Sequence, residues 1–504
     1  MKLKYFHLCF FSLAMMCLVV TTARAEVRLT SVITDHAVLQ RDAPIHLWGE
    51  ASPAEKITIH FHDQSVATTA SRLGLWEAWL MPEPAGGPFT LTVHGSSELS
   101  RSDLLVGDVW FASGQSNMEM PLAGFPGQAH ITNAAQEIAG ADLPQVRLLR
   151  MELKSSDSPL TGISAVWQPC TPETAKDFSA VAYFFAREVG KREHIPIGVI
   201  DSSWGGTPID SWVSLDALSA DASLMPAFAA RAQFADMQTH LEQVESAEKR
   251  ADAEAASHQL AKPSHPWHPD PSSWIPAGLY NGMVAPFTPY TIKGFLWYQG
   301  ETDSAPDRAD LYAKLLPALI ADWRRQWRQG NLPFLFVQIS SFESPQQNWG
   351  LIRDSQRRSL QVTNTGMAVT LDIGQRDNVH PPDKQTVAAR LVLAARALAY
   401  GEPTLAFNGP LYRQTTREPG SLRVWFDHAE GLHSGGDGLK GFEVAGADGH
   451  FVAASASVQG MSVVVSAPEV VEPVQIRYAW ESFTDANLYN GAALPASTFV
   501  AEVP

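Results

Sequence analysis

Residues 107–118 read Gly-Asp-Val-Trp-Phe-Ala-Ser-Gly-Gln-Ser-Asn-Met, an apolar strand that runs into a turn rich in glycine and amide side chains. The strand is predicted over 104–112 and ends at Ser113-Gly114. A nucleophilic serine needs an exposed position on a tight turn after a strand, where its own backbone N–H can face a developing oxyanion. Ser116 has this position. The stretch is not the GxSxG of ordinary α/β-hydrolases, however, and a serine that simply caps a helix explains it equally well.

Strands and helices alternate along the chain after this turn. Strands are predicted at 197–200, 292–298, 334–337 and 367–371, and helices at 182–191, 309–327 and 385–400. This alternation predicts a parallel sheet with helices on both faces, so that residues 104–400 form an α/β domain. Ligands bind at the carboxyl ends of the strands in such sheets, and catalytic residues are therefore expected in the loops that follow the strands.

Three other parts of the chain depart from the α/β pattern. Residues 26–103 contain short β-branched and aromatic runs separated by glycine and proline, which predict an N-terminal β-sandwich. Residues 401–504 return to this pattern and are predicted to form a C-terminal β domain. A helical insertion is predicted over about 216–275, which we interpret as an amphipathic helix packed on the domain rather than a helix that binds a partner.

The first 25 residues have the pattern of a signal peptide. Lys2 and Lys4 precede an apolar run over 8–20, and Ala23-Arg24-Ala25 has the small-x-small form of a cleavage site. A membrane anchor is the alternative, but the apolar run is short for a membrane span. The sequence therefore predicts a periplasmic or secreted protein without membrane attachment after cleavage. Of the three cysteines only Cys170 would remain, which leaves no internal disulfide.

The composition argues against several classes of protein. The chain has 504 residues, of which 45% are hydrophobic, and its 23 Phe and 15 Trp are too many for a disordered chain. The formal net charge of −16 argues against a nucleic-acid-binding protein, which needs a surplus of Lys and Arg to displace counterions. It also argues against a polybasic contact with anionic lipid.

Two further loops after predicted strands carry candidate residues. Residues 201–208 contain the pair Gly205-Gly206, which can bring a backbone N–H close to a ligand or simply form a turn. Residues 297–303 read Trp-Tyr-Gln-Gly-Glu-Thr-Asp. Here Gln299 could donate its side-chain N–H to an oxyanion, and Glu301 could act as an acid or base, although a role in organising the loops is the preferred interpretation.

The last candidate pair is Asp377 and His380, three residues apart on one predicted loop. Asp377 could accept a hydrogen bond from His380 and hold its tautomer, while His380 takes a proton from the nucleophile. An aspartate and a histidine at this spacing are often only a surface pair. If His380 is the base, the carboxylate predicts an apparent pKa at or above about 6.5.

Taken together, these blocks resemble the sialate O-acetylesterase family within the SGNH (GDSL-like) hydrolases, over nearly the whole chain. The matching strings are DHAVLQR at 35–41, GQSNM at 114–118, LYNGM at 279–283, IKG at 292–294, WYQGE at 297–301, DWR at 322–324 and NLYN at 487–490. The resemblance implies a flavodoxin-like three-layer α/β/α catalytic domain with flanking β-sandwich modules. One departure is Asp303, where the family often has Asn.

The resemblance implies an esterase that removes acetyl groups from O-acetylated carbohydrate without a metal or other cofactor. Ser116 would be the nucleophile, His380 the base and Asp377 the residue that orients it. The oxyanion hole would consist of the Ser116 N–H, an N–H of Gly205 or Gly206, and Gln299. Residues predicted to contact the substrate are Gln115, Asn117, Trp204 and Glu301.

Other interpretations stay open at this point. The substrate could be acetylated xylan or xyloglucan rather than a sialate, or the chain could be a non-catalytic carbohydrate-binding protein. Residues 265–270 read His-Pro-Trp-His-Pro-Asp, which resembles a metal cluster but lacks a third ligand at a usual spacing. A loop near the substrate cleft is the preferred interpretation of that segment.

Overall fold

The computed structural model of the chain describes residues 26–258, 260–263 and 268–503, and for residues 229–238 it describes the backbone alone. The predicted signal peptide, residues 1–25, lies outside the described residues. No helix in the described part of the chain is long and apolar enough to cross a membrane.

A central sheet organises the middle of the chain. In spatial order its strands are Gln168–Cys170, Leu143–Arg150, Ile197–Ser203, Glu98–Gly114, Gly294–Tyr298, Phe334–Gln338 and Thr365–Val369. All neighbouring strands are parallel except the first pair. Three inner strands and the edge strand Thr365–Val369 are buried over their full length, as expected for a sheet covered on both faces. The predicted α/β architecture is confirmed.

The strand Glu98–Gly114 lies in the middle of this sheet. The chain builds one half of the sheet on its Ile197–Ser203 side and then crosses to build the other half from Gly294–Tyr298 onward. Such a change of direction opens a crevice at the carboxyl end of the central strand. Residues 115 and 116 follow directly at that end.

The helices form two layers against the sheet. They span Ser116–Glu119, Ala134–Ala139, Pro172–Ala175, Ala180–Glu193, Leu215–Ala220, Pro226–Ser257, Ala309–Trp327, Trp349–Ser359 and Lys384–Ala399. Ala180–Glu193 packs against Lys384–Ala399, and Ala309–Trp327 packs against Trp349–Ser359. The predicted insertion contains the long helix Pro226–Ser257, with Leu241 buried on it.

The N-terminal part of the chain is β-structure that continues into the central sheet. Its strands are Arg28–Leu29, Val38–Gln40, Ile45–Glu50, Lys56–Phe61, Gln64–Thr69, Leu75–Leu80 and Gly86–His94. The boundary predicted between 103 and 104 falls inside the strand Glu98–Gly114. The first half of that strand pairs with Gly86–His94, and its second half lies between the parallel strands. The side chains alternate between exposed and half-buried in the first half and are all buried in the second, which is why the two halves differ in sequence pattern.

The C-terminal part forms two four-stranded sheets and a two-stranded one. Their strands are Leu411–Glu418, Ser421–Asp427, His433–Ser434, Phe442–Ala445, Val452–Ala453, Ser455–Gln459, Ser462–Ser466, Gln475–Tyr478, Leu488–Tyr489 and Phe499–Glu502. The fully buried guanidinium of Arg353 joins this part to the central sheet. It donates to backbone carbonyls on both sides, those of residues 339 and 340 and those of residues 479, 481 and 482.

Candidate active site

The turn after the central strand places Ser116 at the mouth of a cavity. Gly114 has φ +139°, and a Cβ there would collide with the Tyr298 carbonyl of the neighbouring strand. Glycine is therefore required for the chain to leave the sheet at this point. Ser116 begins a single helical turn and lines a cavity of about 780 Å³, as the turn motif predicts.

His380 reaches Ser116 from a loop 264 residues further along the chain. The His380 Nε2 lies 2.8 Å from the Ser116 Oγ, a hydrogen-bond distance. The Phe125 ring packs edge-on against the imidazole, with 5.5 Å between ring centroids. The structure thus brings the predicted nucleophile and the predicted base together.

The partner of the other imidazole nitrogen differs from the prediction. The His380 Nδ1 lies 2.7 Å from the side-chain oxygen of Gln128. Asp377 is exposed on the His380 loop, and no hydrogen bond joins it to His380 among the described contacts. The structure thus does not place Asp377 against His380 as predicted, and the side chain that contacts Nδ1 is that of Gln128. An amide oxygen only accepts, so Nδ1 carries the proton and Nε2 is free to accept one from Ser116.

The pKa of His380 also differs from the expected direction. Burial, and secondarily the positive charge of Lys384, lower the pKa of His380 to about 4. The expected rise depended on a carboxylate beside the ring, and the structure places a neutral amide there instead. A pKa of about 4 leaves the His380 imidazole neutral across the physiological range.

The glycine loop forms one wall of the cavity, and Glu119 holds it in place. The Gly205 N–H donates to the Glu119 carboxylate over 2.6 Å. A Cβ on Gly205 would stand 3.2 Å from the Ser116 Cβ, which explains the glycine. The Gly205 N–H is thus engaged and does not fit the oxyanion role predicted for it. In the described part of the chain, the Ser116 and Gly206 N–H groups have no acceptor, so these two fit that role.

Gln299 does not belong to the cavity surface. Its side chain is fully buried, and its amide nitrogen donates to the Asp303 carboxylate and to the Thr207 carbonyl, the latter over 3.2 Å. The assignment of Gln299 to the oxyanion hole is therefore wrong. Its amide braces the loop after the glycine pair, and Asp303 holds the same loop through the Ile209 N–H.

Asn117 lies beneath the site rather than on its surface, which corrects its assignment as a substrate contact. It is fully buried, and its amide nitrogen donates to Glu301 over 2.5 Å and to the Val379 carbonyl over 3.0 Å. The buried ammonium of Lys384 donates to its oxygen. Burial lowers the pKa of Lys384 to about 7 and raises that of Glu301. This network ties the His380 loop to the serine turn.

The other predicted contact residues do line the cavity. These are Gln115, Trp204 and Glu301. Gln115 also accepts from the backbone N–H groups of residues 300 and 302, and Trp204 is tied to the strand by its N–H bond to the Gly114 carbonyl. Sequence reasoning assigned no role to Glu119, Gln128 or Lys384, because none of them stands in a recognisable pattern of catalytic residues.

The segment 265–270 is described only in part. Residues 264–267 lie outside the described residues, whereas His268 and Asp270 line the cavity. His268 pairs with Glu248 over 3.4 Å. No group of three or more potential metal ligands occurs in the described residues.

Comparisons with known proteins point to one family. A family model described as a carbohydrate esterase, sialic acid-specific acetylesterase, matches residues 266–398. The human sialate O-acetylesterase is 30% identical over an aligned length of 531 residues, gaps included. The alignment covers 94% of this chain and 92% of the human protein. The chain belongs to the sialate O-acetylesterase family.

Further relatives agree with this assignment. A rat sialate O-acetylesterase is 32% identical over 425 residues, 76% of each chain. The solved structure of a carbohydrate acetylesterase from Xanthomonas citri is 34% identical and superposes with a TM-score of 0.81, over 95% of this chain and 100% of that one. The SGNH-type fold with added β modules is confirmed. This member of the sialate O-acetylesterase family is a carbohydrate O-acetylesterase, a carboxylic ester hydrolase.

Proposed function

We propose that this esterase removes O-acetyl groups from carbohydrate through an acetyl-enzyme on Ser116, with His380 as general base and acid. The observation that carries the proposal is the 2.8 Å contact between the Ser116 Oγ and the His380 Nε2. The depressed pKa of His380 keeps this nitrogen unprotonated and able to accept the hydroxyl proton.

In the first half-reaction, Ser116 Oγ attacks the acetyl carbonyl while its proton passes to the His380 Nε2. The tetrahedral oxyanion accepts hydrogen bonds from the Ser116 and Gly206 N–H groups. Its collapse breaks the ester bond, and the imidazolium returns the proton to the leaving sugar oxygen. The Ser116 oxygen keeps the acetyl group.

In the second half-reaction, water attacks the acetyl-enzyme and gives a proton to His380. Collapse of this second oxyanion releases acetic acid and returns the proton to the Ser116 Oγ. Gln128 takes the part that the sequence assigned to Asp377. It holds the Nδ1 proton throughout, so that Nε2 always faces Ser116.

Export is a separate part of the proposal. Support comes from the lysines, the apolar run and the small-x-small site within residues 1–25. We propose that the chain is cleaved after about Ala25 and acts in a periplasm or outside the cell, on O-acetylated glycans found there. An N-terminal sequence of the exported protein that does not begin near Glu26 would contradict this part.

The catalytic proposal is tested by Ser116→Ala with a chromogenic acetyl ester. We expect kcat/KM to fall at least about 10⁴-fold with the folded state retained, because the variant lacks the attacking oxygen. Ser100→Ala is a matched control, since Ser100 is exposed near the other end of the same strand. Turnover by folded Ser116→Ala at the rate of the control would show that another residue is the nucleophile.

A further inference from the structure

Glu119 places a negative charge in the wall of the catalytic cavity. It stands three residues after Ser116 in the same helical turn, and its Oε2 lies 2.6 Å from the Gly205 nitrogen. A Cβ on Gly205 would contact both the Glu119 Oε2, at 3.0 Å, and the Ser116 Cβ, at 3.2 Å. The carboxylate and the nucleophile therefore flank the same glycine.

The positive charge nearest to this carboxylate compensates it poorly. The Arg150 Nη2 lies 3.9 Å from the Glu119 Oε1, the Arg150 side chain is 43% exposed, and it also donates to the Asp177 carbonyl. Glu119 itself is only 13% exposed, so solvent screens its charge less than that of a surface carboxylate; the same burial raises the pKa of its carboxyl group, and the hydrogen bond from Gly205 and the charge of Arg150 lower it. The buried Asp201 also lies on this side; burial raises the pKa of its carboxyl group to about 7, so it adds negative charge only above that pH.

The rest of the cavity lining includes acidic and aromatic side chains among neutral polar and aliphatic ones. Asp270 and Glu301 contribute two further carboxyl groups, whereas none of the described lining residues is a lysine or arginine. Lys384 compensates Glu301 from beneath, with Asn117 bonded to both. Four aromatic side chains also line the cavity: Phe125, Trp204, Phe342 and Trp349. Apolar faces of sugar rings pack well on such side chains.

We propose that Glu119 is a specificity-determining residue, which makes this cavity select acetylated sugars without charge over acetylated sugars that carry a carboxylate, such as sialates. The inference rests on the proposed function, since it concerns the substrate of the same site. A sialate carboxylate bound beside Ser116 meets carboxyl groups on the wall and finds no lysine or arginine on the described lining. An uncharged sugar ring avoids this repulsion and keeps the aromatic contacts.

The expected size of the effect follows from Coulomb's law. Two like charges about 6 Å apart, at an effective dielectric constant between about 40 and 80, change an equilibrium or a rate constant about three- to tenfold. A substrate whose carboxylate is masked should therefore exceed its charged counterpart in kcat/KM by at least about threefold. High salt should narrow the difference, because the charges are partly accessible.

The experiment compares an O-acetylated N-acetylneuraminic acid with its methyl ester, which has the same ring and acetyl group without the charge. Acetate release is measured at pH 8 for the wild-type enzyme and for Glu119→Gln, whose amide oxygen still accepts from Gly205. Both substrates form the same oxyanion, so the ratio of their kcat/KM values cancels any effect of Glu119 on the reaction itself. Asp63→Asn is the matched control, because it removes a carboxylate that is 92% exposed and does not line the cavity.

We expect an ester-to-acid ratio above about 3 in the wild type and Asp63→Asn, and a lower ratio in Glu119→Gln, which keeps the carboxyl groups of Asp270 and Glu301 on the lining. If both compounds turn over too slowly, their inhibition constants against the chromogenic acetate give the same ratio. A wild-type ratio of 1 or less overturns the inference, and so does a raised ratio that Glu119→Gln leaves unchanged. Failure of the proposed function would show separately, as wild-type protein without turnover of the chromogenic acetate or as an active Ser116→Ala.

Discussion

Replacement of Gln128 by alanine tests which residue orients the catalytic histidine. The change removes the acceptor 2.7 Å from the His380 Nδ1. Gln128 is neutral and exposed, and the net free energy of such a hydrogen bond is about 0.5–1.5 kcal/mol. At 1.36 kcal/mol for each tenfold change, kcat/KM should fall about 2- to 13-fold. This is far less than the loss of about 10⁴-fold on replacing a buried triad aspartate.

Asp377→Asn is the matched control for this experiment. Asp377 lies on the His380 loop and is exposed, and it makes no hydrogen bond to His380 among the described contacts. We therefore expect the kcat/KM of Asp377→Asn to stay within about twofold of wild type, because the substitution removes no hydrogen bond to His380. The assay is kcat/KM on a chromogenic acetyl ester as a function of pH.

Gln128→Glu tests the direction in which the apparent pKa of the activity profile shifts. In the wild type, activity should be present above an apparent pKa of about 4 and be lost as the pH falls through it, because His380 must be neutral to accept the proton. A carboxylate beside Nδ1 favours the imidazolium and should raise this apparent pKa by about 1–3 units. If Asp377→Asn lost more activity than Gln128→Ala, and if the wild-type profile rose near pH 6.5, the aspartate assigned from the sequence would be the orienting residue after all.

Two further predictions concern buried polar groups. Gln299→Ala should lower the midpoint of thermal unfolding, since the loss of its buried hydrogen bonds costs about 1–3 kcal/mol. A loss of kcat of about 10²-fold or more with an unchanged midpoint would instead show that Gln299 belongs to the oxyanion hole. Arg353→Leu should destabilise the protein by at least about 3 kcal/mol in denaturant unfolding, because it removes five hydrogen bonds to backbone carbonyls, three of which are fully buried. Unfolding of this variant within about 1 kcal/mol of wild type would show that the C-terminal part is held by other contacts.

The sequence was sufficient to predict the sheet and the loops that carry the chemistry. Apolar strands that end in glycine or polar residues are local patterns, and the carboxyl ends of parallel strands must meet along one edge. Ser116 and His380 were therefore expected together, although 264 residues separate them. The domain boundary near residue 104 was harder to predict from the sequence, because one continuous strand belongs to both the N-terminal β-structure and the α/β sheet.

Only the tertiary structure decided which polar groups face the reaction. Gln299 follows a strand at the edge of the sheet where the active site lies, yet its amide donates to Asp303 and Thr207 instead of facing the cavity. Gln128 belongs to a loop without a recognisable pattern, yet its side chain contacts His380. The sequence determines where along the chain a polar side chain leaves the sheet. Its direction depends on the acceptors and donors that other loops bring within about 3 Å, since a buried polar group must find a partner. Thr207, a partner of Gln299, and Gln128, the partner of His380, lie 92 and 252 residues away along the chain, and no local pattern records such contacts.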